Sequence, residues 1–112
     1  MESVVDNNTK YIFHLAGVAS IQKSIDDPSL DFHTNAVGTF NMLELSRGLN
    51  LKSFVLASSV SVLDPNNKLP INETAIYAPS TPYGASKMSA ETYCKVYHSC
   101  YNVPVKILRL FL

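Results

Sequence analysis

Several features that define other classes of protein are absent from this sequence of 112 residues. No apolar run approaches the length of about 18 residues that a membrane-spanning helix needs, and the N-terminus lacks the basic start and apolar core of a secretion signal. The nine basic and nine acidic residues cancel and are scattered, which argues against nucleic acid or an anionic membrane as a partner. Cys94 and Cys100 lie outside any metal-binding spacing. We therefore expect a cytoplasmic protein with no metal, nucleic-acid or membrane ligand.

Glycine is also scarce, because the chain has four glycines and none of them form a cluster. A dinucleotide-binding domain needs a first strand that ends in a glycine-rich turn, where backbone amides and a helix N-terminus hold the pyrophosphate. No acidic residue follows such a turn to hold the adenosine ribose. The sequence therefore lacks the half of such a domain that would bind adenine.

Short and long apolar patterns alternate along the chain and predict its elements. Three short apolar runs predict strands, and two longer stretches with helical spacing predict helices. The predicted strands are 11–15, 53–57 and 105–110, and the predicted helices are 30–49 and 83–101. Four prolines between residues 63 and 82 predict a long loop. Strand, helix, strand, helix, strand is typical of a parallel α/β fold, and the length allows one domain at most.

The most informative motif is Tyr83-Gly84-Ala85-Ser86-Lys87, with Ser58 and Ser59 on a strand end about 24 residues upstream. A tyrosine and a lysine at i and i+4 share one face of a helix. A free phenol titrates near ~10, and a nearby cation lowers the pKa of a phenol towards the range useful for proton transfer at neutral pH. Serine, tyrosine and lysine together can move a proton on or off an alcohol. Taken alone, a Tyr/Lys pair of this spacing is also common among ordinary surface residues.

Five stretches stand in a fixed order along the chain. They are His14-Leu15-Ala16-Gly17, Asp27-Pro28 followed by Asn35-Ala36-Val37-Gly38-Thr39, Ala57-Ser58-Ser59, Tyr83 to Lys87, and Leu108-Arg109-Leu110-Phe111. In this order they resemble the extended short-chain dehydrogenase/reductase superfamily. The resemblance is to its NAD-dependent epimerase/dehydratases that act on nucleotide sugars, UDP-glucose 4-epimerases in particular. It covers residues from about 11 to 112 and implies a Rossmann-type doubly wound parallel α/β sheet.

The resemblance also implies roles for individual residues. Tyr83 would be the catalytic acid/base, Lys87 its partner and a contact of the nicotinamide ribose, and Ser59 the hydroxyl that orients the substrate. Ser59 and Tyr83 would also contact that substrate. The implied cofactor contacts are Leu15, Ala16, Gly17, Val18, Ala19, Asn35, Ser58, Tyr83, Lys87 and Phe111. Ordinary packing explains Phe111 nearly as well, Ser58 has a purely structural alternative, and Asn35 could be an exposed helix residue.

The implied reaction is oxidation of a nucleotide-sugar hydroxyl with NAD, or with NADP, followed by epimerisation. A dehydratase usually has an acidic pair just after the catalytic serine, and Ser59-Val60-Ser61 has none, which favours an epimerase. A steroid- or flavonol-type reductase of the same superfamily, or a remnant without turnover, are the alternatives. The full-length relative is expected to be a homodimer.

Residues 1–112 are expected to form a partial NAD(P)-binding Rossmann domain, without the N-terminal glycine-rich half and the C-terminal substrate subdomain. Leu112 stands where the family pattern Arg-x-Phe-Asn has its sugar-contacting asparagine, which suggests a truncated or frame-broken coding region. The strand that begins at Tyr11 would then have a bare edge, and such edges recruit other chains. We expect the chain by itself to be marginally stable and prone to aggregate.

Overall fold

Among residues 4–111, three parallel strands form the sheet, and their order in the sheet is their order in the chain. They are β1 (Tyr11–His14), β2 (Ser53–Ser59) and β3 (Val105–Leu110). The structure, a computed structural model, describes residues 4–111, so the prediction about Leu112 lies outside the described residues. The parallel pairing of β1 with β2 and of β2 with β3 confirms the predicted α/β sheet.

The helices are α1 (Ile21–Asp26), α2 (Pro28–Phe32), α3 (Gly38–Ser46) and α4 (Pro82–Tyr101), with a π-helical segment (His33–Val37) joining α2 to α3. The helix predicted over 30–49 therefore begins two residues earlier and ends three residues earlier. The short helix α1 was not predicted. Its N-terminus is capped by Ser20, whose Oγ accepts from the Lys23 amide at 3.2 Å.

Two further N-terminal caps fix where helices α2 and α4 begin. Asp27 Oδ1 accepts from the Leu30 amide at 2.9 Å and so starts α2, with Pro28 in the first turn. Thr81 Oγ1 accepts from the Gly84 amide at 3.1 Å and starts α4, again with a proline following. Helix α4 ends at Asn102, which adopts the left-handed conformation at φ 57°.

One face of the sheet is covered by helices and carries the core. Along β1 the side chains of Ile12 and His14 are buried, whereas Tyr11 and Phe13 are exposed, because successive strand residues point to opposite faces. The buried core packs the sheet against α3 and α4, and its fully buried members include Leu43, Phe54, Leu56, Ala90 and Cys94. The opposite face leaves apolar side chains in water.

The loop between β2 and α4 is fastened at its base. Leu63 forms an isolated antiparallel bridge with Tyr77. The Asn67 side chain closes the loop further, because its amide donates to the Asp64 and Ile76 carbonyls and accepts from the Ile76 amide, each at 2.9 Å. The predicted loop is thus a compact lobe beside the start of α4. Within residues 4–111 none of the helices has the length and hydropathy needed to cross a bilayer.

Candidate active site

Tyr83 and Lys87 lie one turn apart at the start of α4, and both side chains are buried, with 8% and 7% of their surface exposed. The Lys87 ammonium stands 5.9 Å from the centre of the Tyr83 ring. Lys87 Nζ also donates to the Ala57 carbonyl oxygen at 3.1 Å. That carbonyl belongs to β2, so the ammonium joins the helix to the strand that carries Ser59.

Burial has the largest effect on the pKa values of the ionisable groups around this pair. It lowers the pKa of Lys87, and the negative charge of Asp31 opposes that effect. Burial also lowers the pKa of His14, and the positive charge of Lys87 lowers the pKa of His14 further. His14 is 7% exposed, and its Nε2 lies 3.1 Å from Thr39 Oγ1. An imidazole and an ammonium therefore occupy neighbouring buried positions.

Ser59 ends β2 and begins a short 3-10 turn (Val60–Val62). Its Oγ accepts from the Ser61 amide and donates to Ser61 Oγ, both at 3.1 Å. The first turn of α4 packs directly on this segment, because a Cβ added at Gly84 would lie 2.3 Å from the Ser61 carbonyl oxygen. The glycine inside the Tyr-Lys motif is thus explained, since a larger residue would push Tyr83 away from the serine turn.

Ser58 lies on the opposite face of β2, buried against the helix layer. Its partner in β3 is Arg109, whose guanidinium binds the Glu91 carboxylate through two hydrogen bonds of 2.9 Å. Glu91 is fully buried, and burial raises the pKa of this carboxyl. The Tyr77 ring covers the pair, 4.5 Å from the Arg109 guanidinium carbon. Ser58 therefore neighbours a structural ion pair.

Asn35 connects the loop after β1 to α4. It lies in the π-helical segment, a distortion that often marks functional sites, and it is 1% exposed, so an exposed position is excluded. Its Oδ1 accepts from the Val18 amide and its Nδ2 donates to the Val18 carbonyl, both at 2.9 Å. The same Nδ2 lies 3.2 Å from Ser86 Oγ. The side chain therefore fixes the loop that the sequence predicts to run along the cofactor.

The loop passes close to Lys87 because residue 17 has no side chain. A Cβ added at Gly17 would lie 2.7 Å from Asn35 Oδ1 and 3.2 Å from Lys87 Nζ. The neighbouring backbone at Leu15, Ala16 and Ala19 is exposed. Small residues therefore bring an exposed stretch of backbone next to the buried ammonium.

An open groove of about 1110 Å³ begins at the carboxyl end of β1. Its wall includes Phe13, Leu15 and Ala16 from the strand and the following loop, and Gly38 and Met42 from the helix opposite. A second cavity of about 380 Å³ lies between the 3-10 turn, the loop 63–81 and the N-terminus of α4. Thr81, the N-terminal cap of α4, borders the second cavity, and the catalytic pair predicted from the sequence lies in the first two turns of that helix.

The structure brings most of the predicted site residues together, whereas Phe111 is exposed and Ser58 faces the Glu91 side of α4. Phe111 follows β3 and is 63% exposed, and Ser58 faces the helices. Three residues around the site were not identified from the sequence: Ser24, whose Oγ accepts from the Tyr83 amide at 3.1 Å, Ser86, and Asp31. The sequence offers one clue to two of them, which is their spacing from predicted site residues. Asp31 shares a helix face with Asn35, and Ser86 lies inside the Tyr-Lys motif.

Among residues 4–111 there is no group of three or more His, Cys, Asp or Glu side chains that could hold a metal ion. The candidate chemistry in this part of the chain is proton transfer by Tyr83 and Lys87, with Ser59 as a hydrogen-bonding group.

Comparisons with known proteins identify the family of this chain. A model of the NAD-dependent epimerase/dehydratase family matches residues 1–112. A putative UDP-glucose 4-epimerase of Methanocaldococcus jannaschii is 33% identical over 109 residues, which are 96% of this chain and 36% of that protein. A probable UDP-glucuronate 4-epimerase of Rhizobium meliloti is 37% identical over 101 residues, 89% of this chain and 30% of its own length. The chain thus spans about a third of the curated relatives it matches.

Solved structures of epimerases have the same fold over this part. A UDP-N-acetylglucosamine 4-epimerase from Methanobrevibacter ruminantium, in complex with UDP-N-acetylmuramic acid, superposes with a TM-score of 0.87 at 30% identity and covers 96% of this chain and 34% of that one. A UDP-glucose 4-epimerase from Thermotoga maritima with UDP-glucose gives a TM-score of 0.85 at 35% identity over 89% of this chain and 33% of its own. This chain belongs to the NAD-dependent epimerase/dehydratase family, and its sheet is part of a Rossmann-type α/β fold.

Proposed function

We propose that this chain carries the proton-transfer half of an NAD-dependent nucleotide-sugar 4-epimerase. The observation that carries the proposal is the buried pair of Tyr83 and Lys87 one helical turn apart, with Lys87 tied to the strand that ends in Ser59. The relatives named as UDP-sugar 4-epimerases support the substrate class. Because the chain spans a third of their length, the activity belongs to the complete polypeptide that carries this sequence.

Each residue has a separate task in the proposed reaction. Tyr83, as the phenolate, takes the proton of the sugar hydroxyl and, as the resulting phenol, later returns it, so one group acts as base and then as acid. The Lys87 ammonium favours the charged form of the tyrosine through its positive charge. Ser59 Oγ, at the carboxyl end of a parallel strand, hydrogen-bonds the reacting oxygen and holds it in line with Tyr83.

The residues present fit the nicotinamide half of the cofactor. Leu15 and Ala16 border an open groove, and the chain passes beside Lys87 at Gly17, where the lack of a side chain permits close approach. We assign Leu15, Ala16, Gly17, Val18 and Ala19, with Lys87, to hold that half. NAD, when bound, supplies the hydride chemistry. NAD is preferred to NADP because the matching family is described as NAD-dependent.

The turn after the catalytic serine favours epimerisation over dehydration. Elimination of water needs a second acid/base near the sugar, whereas the residue that Ser59 contacts is Ser61, another hydroxyl. Inversion needs one proton-transfer group and a sugar that can turn in its pocket. A steroid- or flavonol-type reductase uses the same three residues, and the substrate assay below separates it from an epimerase.

An apolar hollow on the outer helix surface supports a homodimer. It measures about 260 Å³ and is lined by Phe32, Ala36, Val37, Phe40, Ser89 and Tyr93. Phe32, Phe40 and Tyr93 are between 38% and 49% exposed, and aromatic side chains of this kind are enriched at interfaces. We propose that two copies pack through these helices, which sedimentation of the complete polypeptide would test.

The test is an epimerase assay on the complete polypeptide that carries this sequence, with NAD and UDP-glucose or UDP-galactose. Tyr83→Phe should lower kcat by about 10²–10⁴-fold, and Tyr101→Phe, which removes a hydroxyl from the exposed end of the same helix, should leave kcat unchanged. Interconversion that survives in Tyr83→Phe would refute the assignment. Absence of turnover in the unsubstituted protein with either sugar would favour the reductase or the remnant.

A further inference from the structure

Asp31 is a buried carboxylate with one oxygen unused. It is 1% exposed, and its Oδ1 accepts from Asn35 Nδ2 at 2.9 Å. Its Oδ2 is buried and has no hydrogen-bond partner among the described residues. A buried charge without compensation is costly. The packing of α2 alone therefore does not explain a carboxylate in this position.

The contacts of Asn35 show what this carboxylate does. Its amide nitrogen has two hydrogens but three acceptors, Val18 O and Asp31 Oδ1 at 2.9 Å and Ser86 Oγ at 3.2 Å. Ser86 Oγ already donates to the Tyr83 carbonyl, so it can only accept from the amide. Because these acceptors surround Asn35 Nδ2, the amide oxygen Oδ1 must point the other way. It faces the Val18 amide and Gly17, beside which Lys87 Nζ also lies.

We propose that Asp31 is a positioning residue of the proposed epimerase site, which orients Asn35 and supplies the negative charge that keeps the buried Lys87 ammonium protonated. The inference rests on the proposed function, because Asp31 positions groups of that site, but the experiment that tests it does not require epimerase activity. Asp31 and Asn35 are hydrogen-bonded, and Asn35 Oδ1 and Lys87 Nζ both approach Gly17, 2.7 and 3.2 Å from the place that a Cβ would occupy there. The role is electrostatic and indirect, because Asp31 lies behind Asn35.

Other ionisable groups around Lys87 cannot replace this charge. The groups on the elements that pack against it are His14 on β1, Asp31 on α2, and Tyr83 and Glu91 on its own helix. His14 resists a positive charge because burial and Lys87 both lower its pKa. The Glu91 carboxylate is already paired with Arg109. The charge of Asp31 is the one that raises the pKa of Lys87 against the effect of burial.

The test is the pH titration of Lys87 in the complete polypeptide. It is monitored by NMR with lysine labelled at the ε carbon, and the Lys87 signal is assigned with the Lys87→Arg variant. In Asp31→Asn the shape and the hydrogen bond to Asn35 are kept and the charge is lost. The Lys87 titration midpoint should then fall by about one pH unit or more. Asp26→Asn, which removes an exposed carboxylate from α1, should leave the midpoint unchanged.

An unchanged Lys87 midpoint in folded Asp31→Asn would overturn the proposal. If that variant does not fold, the carboxyl carbon of Asp31 is measured in the unsubstituted protein. The chemical shift of an ionised carboxylate at pH 7 would support the proposal, and that of a neutral acid would overturn it. Neither measurement needs turnover, so a protein that lacks epimerase activity would still decide the role of Asp31.

Discussion

Asn35 and Val18 exchange two hydrogen bonds of 2.9 Å, one in each direction. A single side chain thereby pairs with the loop backbone much as a neighbouring strand would. We predict that Asn35→Ala lowers the free energy of unfolding by about 1–3 kcal/mol, because buried backbone groups of Val18 lose their partners. Asn41→Ala, at an exposed position of α3, should cost far less. Urea unfolding of both variants measures the difference, and equal losses would contradict the prediction.

Gly84 should not tolerate a methyl group. A Cβ there would lie 2.3 Å from the Ser61 carbonyl oxygen and 2.9 Å from Pro79 Cβ. Because the obstacle is backbone, Gly84→Ala should destabilise the protein by about 3 kcal/mol. At Gly48 nothing lies within 4 Å of such a Cβ, so Gly48→Ala should be neutral or stabilising by up to about 1 kcal/mol. Thermal unfolding of the two variants checks this contrast, which similar melting temperatures would refute.

Removing one partner of the Glu91–Arg109 ion pair should lower stability strongly, whereas replacing both partners by apolar residues should lower it much less. Arg109→Met leaves a buried carboxylate without its partner, and we expect a loss of about 3–5 kcal/mol. Changing Glu91→Leu in the same chain removes the orphaned charge and should recover much of that loss. A double-mutant cycle by chemical denaturation measures the coupling, and additive effects would mean that the two side chains do not stabilise each other.

Stability should fall in mildly acidic solution because of His14. Its pKa is lowered from 6.5 in the folded state by burial and by Lys87, so unfolding takes up a proton. The contribution is present above pH 6.5 and is lost as the pH falls through the folded-state value. His14→Asn should flatten the dependence of the free energy of unfolding between pH 7.5 and about 5.5, whereas His33→Asn, at an exposed position, should not. A slope that persists in His14→Asn would show that other groups control it.

The exposed edge of β1 should promote association. Phe13 is 65% exposed on this strand, and β1 pairs only with β2 among the described strands. We predict that this 112-residue chain alone self-associates with increasing concentration, and that Phe13→Lys reduces the effect. Ile76→Lys is the control, since Ile76 is 64% exposed but lies in the loop. Sedimentation measures both, and a soluble monomer with a sharp thermal transition would contradict the expectation.

The fold was largely predictable because its elements have local signals. The apolar runs predicted all three strands, and the helical spacing predicted the start of α4 to within one residue. The helix α1 escaped because six residues with little apolar periodicity resemble a loop. The π-helical segment around Asn35 was likewise not predicted, and the contact of Asn35 with Val18 depends on packing against another part of the chain.

The site was predictable only where residues form a motif. Tyr83 and Lys87 are four residues apart, so their proximity follows from helix geometry. Asp31 and Ser24 reach the site through tertiary packing, and in the sequence they look like ordinary polar helix residues. The alternation along β2 also explains Ser58, because a pair of adjacent serines must face opposite sides of a strand.

The matching of strand order to chain order has a consequence for how the protein is made. On a ribosome the N-terminal part emerges first, so each new strand finds its neighbour already present and the sheet can grow outwards without waiting for a distant segment. The last addition, β3, also delivers Arg109 to Glu91. Until that strand emerges, Glu91 on the inner side of α4 lacks its Arg109 partner, so we expect α4 to dock fully only after β3 has joined the sheet.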